Sequence, residues 1–515
     1  MARPGISRYL MNQGTVFCAD FADYPFMQEA AMRLADDTRL IIGGQGRVPP
    51  SSGDASLDRY EYFDWRNYFR FADFEPRLDA RSVVPPDRLA CYEPAKQRFM
   101  RSLDRVFLEP ASYAQQEQLF YGLIRAFEAW ITRTPRPLTV FFAHTPHFPW
   151  HIVFHQVCKT HDVPVFICRT TQIADAVLLD ADLSEHGQRW VRPAQPIDPT
   201  WVTDQAWARS PRMANSVSIN VRAERHARKR VGLARWIAIA WRYFRDRQYL
   251  AHRHYHRLPW RRVMAVARQR QRQRRADLAY LDANARRHAP DQPFVYFGLH
   301  YQPERTTVPE AGYFHDQIQA IRLLAAALPE GMVLAVKEHP RQLGDRRPSL
   351  RRFHTQRTPL YRAIQRIPNA VLIHAFVDSA SLIGRARMTA SCTGSAVFEG
   401  LQAGIPGVTF AATWHSACPS GPLCSQAEAL PALIERLLAK PTDEVRADYV
   451  RFLDDNAEWW FLGANDDRAV KRSAFSRQTL RDSVAEMLYD TAIGSHEPRR
   501  HVRLARDNSP TQESA

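Results

Sequence analysis

Short apolar runs that stop abruptly at polar residues recur along this chain, and they constrain its fold more than any other feature. TVFCA runs into Asp20, LTVFFA into His144, FVYFG into LHYQPERTT, MVLAV into Lys337, and RMTAS into Cys392-Thr393-Gly394-Ser395. Stretches of helical period lie between them: Tyr24 to Leu34, Leu119 to Ile131 with Leu119, Leu123, Phe127 and Trp130 on one face, and Trp150 to Thr160. Continuous apolar strands alternating with helices read as parallel sheets covered on both faces. Open α/β sheets bind ligands just beyond the carboxyl ends of their strands, so the polar tips are where chemistry is expected.

At 515 residues the chain exceeds a single core. The reading is α/β, with two Rossmann-type domains facing a cleft: an N-terminal acceptor domain over 1–205 and a C-terminal nucleotide-sugar domain over 291–440. Between them lies a basic helical insertion, 206–290. Closing helices follow over 441–493, and 494–515 reads as a disordered tail. Residues 49–115, rich in aromatics and proline, carry no clear pattern. No apolar run reaches the roughly 18–20 residues that span a bilayer. The first residues show no apolar region followed by a cleavage site, so no signal peptide is expected. Seven scattered cysteines point to buried thiols in a reducing compartment rather than a disulfide frame. Cytoplasm is the expected location.

The net charge of +16 resides in one segment. Residues 222–288 hold twenty Lys/Arg and four Asp/Glu, so the rest of the chain is neutral. Two helical stretches are expected there, roughly 222–256 and 260–287, with Trp236, Trp241, Tyr243, Phe244 and Trp260 interleaved. Arginines among aromatics suit an anionic membrane surface or an acidic glycan, a solvated helical pair, or nucleic acid. The first is favoured, and no nucleic-acid partner is expected.

Three tips are suited to a nucleotide. In TGSAVFEGLQAGIP, small residues open a helix, so free backbone N–H groups and the helix dipole favour a phosphate. Thr393, Gly394 and Ser395 form that turn, and Glu399 follows one turn later to accept from ribose hydroxyls. In KEHP, His339 stands before a proline that restricts its backbone, with Lys337 and Arg341 adding positive charge. In LHYQPERTT, Gln302 is suited to orienting a base or sugar and Arg305 to pairing with phosphate oxygens. In the other half, HTPHFP puts His144 and His147 at a strand end, where they either face a cleft or cap the loop. His147, His151 and His155 stand four apart, but without the Glu of HExxH no metal is expected. Asp180-Ala181-Asp182 reads as a solvated loop.

The order of Gln302-Pro303, Lys337-x-His339-Pro340, strand VLI, Thr393-Gly394-Ser395 and Gly404-x-Pro406 resembles bacterial capsule polysaccharide biosynthesis proteins, a family that includes Kdo transferases of GT-B type. The match covers about 120 residues. The resemblance implies a GT-B fold and a donor site in which the His-Pro motif contacts the nucleotide phosphate of a CMP-activated sugar, with the Ser/Thr-Gly turn beside it. It carries His339, Thr393 and Ser395, and also Gln302, over as donor residues. The expected function is a metal-independent glycosyltransferase of surface-polysaccharide biosynthesis, with no cofactor beyond its nucleotide-sugar substrate. The expected donor is CMP-Kdo or a similar nucleotide-sugar, and the acceptor a lipid-linked or polyanionic glycan at the inner membrane. The base that activates the acceptor is sought among His147, His144 and Asp20, with His147 preferred because a histidine side chain ordinarily titrates near neutrality. Two alternatives share the fold: a UDP-sugar 2-epimerase-like enzyme, and a non-catalytic capsule assembly or export component.

Overall fold

The protein is represented by a computed structural model that describes residues 14–44, 59–65, 86–103, 112–183, 189–205, 207, 216–228, 233–245, 259–344, 357–493 and 502–503. In the N-terminal half, β1 (Thr15–Ala19), β2 (Arg39–Gly44), β3 (Glu61–Asp64), β4 (Leu138–Phe142) and β5 (Val165–Thr170) run parallel in the order 3-2-1-4-5. Two strands then continue the sheet antiparallel, β6 (Ala176–Asp180) and β7 (Arg189–Val191). Every residue of β1 and β4 is buried, because both faces of the sheet are covered. Phe17 packs among Trp65, Phe127, Trp150 and Phe154 on one face, whereas Val16 and Cys18 pack with Met27 and Leu488 on the other. The helix Tyr113–Arg133 starts at a capping box: Ser112 Oγ accepts the Gln115 N–H (3.3 Å), and Gln115 Oε1 accepts the Ser112 N–H (2.9 Å).

The C-terminal half repeats the plan. Strands β8 (Phe294–Gly298), β9 (Val333–Lys337), β10 (Ala370–Ile373), β11 (Met388–Ser391) and β12 (Gly407–Thr409) form a fully parallel sheet. Their order is β10-β9-β8-β11-β12, again 3-2-1-4-5. Alternation divides the strands between two cores, with Val295 and Phe297 in one and Phe294 and Tyr296 in the other.

Among the described residues, the helices Ser216–Arg228, Leu233–Arg245 and Trp260–Asn284 join the halves. The expected stretch 222–256 is therefore more than one helix, and residues 229–232 and 246–258 of it lie outside the described residues. Ala227, Leu278 and Leu281 enter the core of the C-terminal sheet. Asp277, fully buried, accepts the backbone N–H groups of Arg357 (3.1 Å) and Thr358 (2.8 Å) and so caps the helix Thr358–Gln365.

After the C-terminal sheet the chain crosses back. The helix Thr442–Asn456 leads to β13 (Trp460–Leu462), a short strand that pairs antiparallel with β6 within the span expected to be helical. The helix Arg477–Ile493 then covers the N-terminal sheet with Leu480, Val484 and Leu488. Leu178, Trp190, Phe398, Leu401, Trp414, Tyr449 and Trp460 form one apolar cluster across the two halves. The segment 494–515 lies outside the described residues except for β14 (Val502–Arg503), which pairs with β7. All seven cysteines are free thiols, six of them buried. Among the described residues no helix is long and apolar enough to cross a membrane.

Candidate active site

In each sheet the strand order reverses between the first and fourth strands, and loops leaving that point diverge to form a crevice. In the C-terminal sheet these are the loops after β8 and β11, with the tip of β9 alongside. They enclose a cavity of about 320 Å³ whose lining includes Gly298, His300, Glu304, Thr306, Lys337, His339, Arg341, Thr393, Gly394, Ser395 and Glu399.

His300 organises the crevice, and sequence reasoning passed over it. Its ring is buried, and the Thr393 N–H donates to Nε2 (3.2 Å). A backbone N–H can only donate, so Nε2 is unprotonated and also accepts from the Ser391 hydroxyl (3.1 Å). Nδ1–H is then the donor to Thr306 Oγ1 at 3.3 Å. Burial pulls the His300 pKa down to about 4, outweighing nearby Glu310, so the ring is neutral at physiological pH. Ser391 Oγ in turn accepts the Gly394 N–H (2.9 Å). A Cβ at position 394 would lie 2.5 Å from that oxygen, so the turn requires glycine.

The helix Ser395–Ala403 begins here, and its N-cap, Gly394, supplies no side-chain cap. Its first residues, Ser395 and Ala396, line the cavity, so the positive end of the helix dipole lies beside it. Ser395 Oγ donates to Glu399 Oε1 (2.8 Å), which fixes the carboxylate that lines the same space.

At the β9 tip, the Arg341 N–H donates to His339 Nδ1 (3.1 Å), so the ring hydrogen sits on Nε2, the donor a phosphate oxygen accepts from. The adjacent Glu338 is fully buried and holds this tip in place. It accepts from the His339 N–H (2.6 Å), Arg357 Nε (2.8 Å) and Tyr361 OH (2.8 Å). Lys337 is buried against the cavity. Desolvation lowers its pKa to about 8, opposed by Glu338, Asp378 and Glu399, so it remains mostly protonated at neutral pH.

The N-terminal crevice is built of other groups. Asp20, buried and in the left-handed region at φ 61°, accepts from Trp65 Nε1 (3.0 Å) and lies 3.0 Å from His151 Nε2 and 3.9 Å from His144 Nε2. Burial would raise its pKa, but His151, His144 and the Trp65 N–H together hold it below the usual carboxylate value. The Thr145 carbonyl accepts from Nδ1–H of both His144 (3.1 Å) and His147 (2.9 Å), which leaves Nε2 as the basic nitrogen of each. Burial lowers the His144 pKa to about 4, whereas His147 is only partly buried. Among the described residues, no group of three or more His, Cys, Asp or Glu is placed to hold a metal ion.

The two crevices meet at the interface. Arg305 pairs with Glu310 (3.3 Å) and acts electrostatically on Tyr24 and His144. Glu310 also reaches Arg169 (3.7 Å), whose Nη1 donates to Thr145 Oγ1 (3.2 Å). Gln172, from the loop after β5, lines the C-terminal cavity and accepts from Trp414 Nε1. Asn220, from the helix Ser216–Arg228, lines it too.

Of the residues singled out from sequence, Lys337, His339, Thr393, Gly394, Ser395 and Glu399 converge on one cavity. Gln302 does not line it: its backbone N–H donates to Gln342 Oε1 (2.9 Å) and its side chain reaches the His315 carbonyl (3.5 Å). Arg305 sits at the interface, and Asp20, His144 and His147 lie in the opposite crevice. The Asp180-Ala181-Asp182 stretch is not a solvated loop, because Asp180 is fully buried and accepts from Arg169 Nε at 2.6 Å. Trp414 packs in the apolar cluster between the halves, and His415 beside it is buried.

No protein-family model matches the sequence, and no curated protein matches it. Among solved structures, the chain is similar to the N-terminal domain of trehalose-6-phosphate phosphatase from Candida albicans (8% identity, covering 95% of this chain and 99% of that one, TM-score 0.33). It is also similar to the beta Kdo 2,7 transferase KpsC of Thermosulfurimonas dismutans (9% identity, 71% and 89% covered, TM-score 0.27). A third likeness is to UDP-GlcNAc 2-epimerase from Methanocaldococcus jannaschii (10% identity, 84% and 94% covered, TM-score 0.23). Likenesses this remote assign no activity. The α/β, GT-B-like arrangement of two Rossmann-type domains facing a cleft rests on the two sheets themselves, each of order 3-2-1-4-5 with its crevice at their common interface.

Proposed function

We propose that the protein is a glycosyltransferase of surface-polysaccharide biosynthesis, taking its sugar from a nucleotide-sugar held in the C-terminal crevice. One observation carries this reading. His339, Lys337, the Thr393–Ser395 turn and Glu399 come from separate strand tips, yet all line one cavity at the switch point. Those groups suit phosphate and ribose. The His339 Nε2–H, the Lys337 ammonium and the N–H groups of the helix Ser395–Ala403 meet the phosphate, and Glu399 accepts from the sugar hydroxyls. CMP-Kdo is the donor to test first, and a glycan or glycolipid at the cytoplasmic membrane surface is the acceptor.

In the transfer, His147 Nε2 takes the proton of the acceptor hydroxyl, whose oxygen attacks the anomeric carbon. The bond from that carbon to the phosphate oxygen breaks, and the nucleotide leaves with the electron pair. The cationic and N–H groups of the C-terminal crevice stabilise the charge that develops there, so the step calls for no metal.

A thermal-shift panel with CMP, CDP, UDP, GDP and ADP tests the donor site, with His339→Ala alongside. A nucleotide at a hundred times its Kd stabilises the fold by about 2.7 kcal/mol. A shift for one nucleotide, reduced about tenfold in affinity by the substitution, is the expected result. No shift with any nucleotide would overturn the assignment. Conversion of a UDP-sugar to its 2-epimer without acceptor and without net release of nucleotide would point instead to an epimerase-like reaction.

A further inference from the structure

The helix Leu233–Arg245 carries more apolar surface than its packing uses. Trp236 and Tyr243 face the helix Trp260–Asn284, where they meet Trp260, Val263 and Ala267. Ile237, Trp241 and Phe244 follow the i, i+4, i+7 spacing of a different face, and they are 59%, 57% and 62% exposed. Of the nine large apolar side chains exposed among the described residues, six lie between Trp207 and Phe244. Scattered exposure is ordinary, but this concentration makes a patch.

We infer that this face is a docking surface for an anionic lipid bilayer, which deepens the membrane-surface acceptor in the function proposed above and rests on that reading. The charge supports it: the helix holds Arg235, Arg242 and Arg245 and no acidic residue, within a segment carrying the chain's whole excess of +16. The Arg245 guanidinium lies 4.6 Å from the centre of the Trp241 ring, a cation and an indole side by side as suits a headgroup region. A soluble polyanion would satisfy the arginines but leave Ile237 and Phe244 in water. A second copy of the chain would bring two strongly basic faces together. Only an anionic bilayer takes both the charge and the apolar stripe.

The test is co-sedimentation of the full chain with large unilamellar vesicles of phosphatidylcholine, alone or with about a third phosphatidylglycerol. The triple variant Ile237→Ser, Trp241→Ser, Phe244→Ser accompanies the parent protein, and the nucleotide thermal shift is recorded for both. Binding to the anionic vesicles, weakened at least tenfold in the variant, is expected, with the nucleotide shift unchanged. Three results would overturn the proposal: no binding to anionic vesicles, equal binding to both vesicle types, or equal binding by the variant. A change of sedimentation coefficient between parent and variant without lipid would assign the face to self-association instead. Failure of the nucleotide shift with vesicle binding intact would count against the transferase reading, not against this surface.

Discussion

The two switch points share one strand order and are furnished with opposite chemistry. In the N-terminal crevice a carboxylate, Asp20, stands among imidazoles, and the Thr145 carbonyl takes the Nδ1–H of His144 and His147, leaving Nε2 as the basic nitrogen of each. In the C-terminal crevice the buried imidazole of His300 is spent on internal bonds, and the cavity is lined by N–H donors, hydroxyls, the His339 ring, the Lys337 ammonium and the carboxylates of Glu304 and Glu399. The proposed transfer assigns the acceptor's proton to the first crevice and the nucleotide's phosphate to the second. Duplicated architecture thus fixes where chemistry occurs, while the residues at the tips decide which kind.

That division can be broken experimentally. The largest effect is expected from His147→Ala, which should lower the transfer rate by about 10²–10⁴ while leaving nucleotide affinity within about twofold. Single-turnover rates and nucleotide Kd, measured together, check this. Loss of nucleotide binding in that variant would mean the crevices are not separate in role.

Next is stability. Glu338→Ala strands the buried Arg357 guanidinium and should cost about 3–5 kcal/mol. Asp20→Ala strands an indole N–H and no guanidinium, and should cost about 1–3 kcal/mol. Urea unfolding of both variants gives the comparison through their midpoints. Equal costs would show that the N-terminal crevice is as tightly charge-locked as the other.

The smallest expected effect is the pH dependence of nucleotide affinity. Lys337 has its pKa lowered to about 8, chiefly by burial, so its charge is present below that pH and lost above it. Affinity for a nucleotide should be flat below pH 7 and fall by up to about tenfold per unit above pH 8. Lys337→Arg, which stays charged, should abolish the fall, as titration calorimetry across pH would show. A flat profile in the parent protein would remove Lys337 from the phosphate site.

The sequence exposed the strand tips more clearly than the residues that act from them. TVFCA, LTVFF and FVYFG are visible because strands buried on both faces must be apolar throughout, and the first polar residue then marks the crevice. His339 and the Thr393–Ser395 turn follow from that rule. His300 does not, since the stretch LHYQPERTT offers several polar candidates and only packing decides which side chain turns inward. Gln302 was favoured in its place and instead braces the loop against Gln342 and His315. Glu338 hides for a similar reason: its partners Arg357 and Tyr361 are about twenty positions away, and no local period signals the pairing. Asn220 and Gln172 reach the cavity from other segments altogether. The strand Trp460–Leu462 is three residues long, too short for an alternation to register between helices.

The return of the chain to the first sheet has a mechanical consequence. The C-terminal half is tethered at both of its ends, once before β8 and once after the helix Leu430–Leu438, so the molecule is bound like a book along a spine. Its spine is greasy, with Trp190, Trp414, Tyr449 and Trp460 clustered there. The fore-edge is charged, with Arg169, Glu310 and Arg305 in line across the gap. Opening at the fore-edge exposes groups that water solvates readily, whereas splitting the spine would expose indole rings. Separating the halves would therefore cost more free energy at the spine than at the fore-edge.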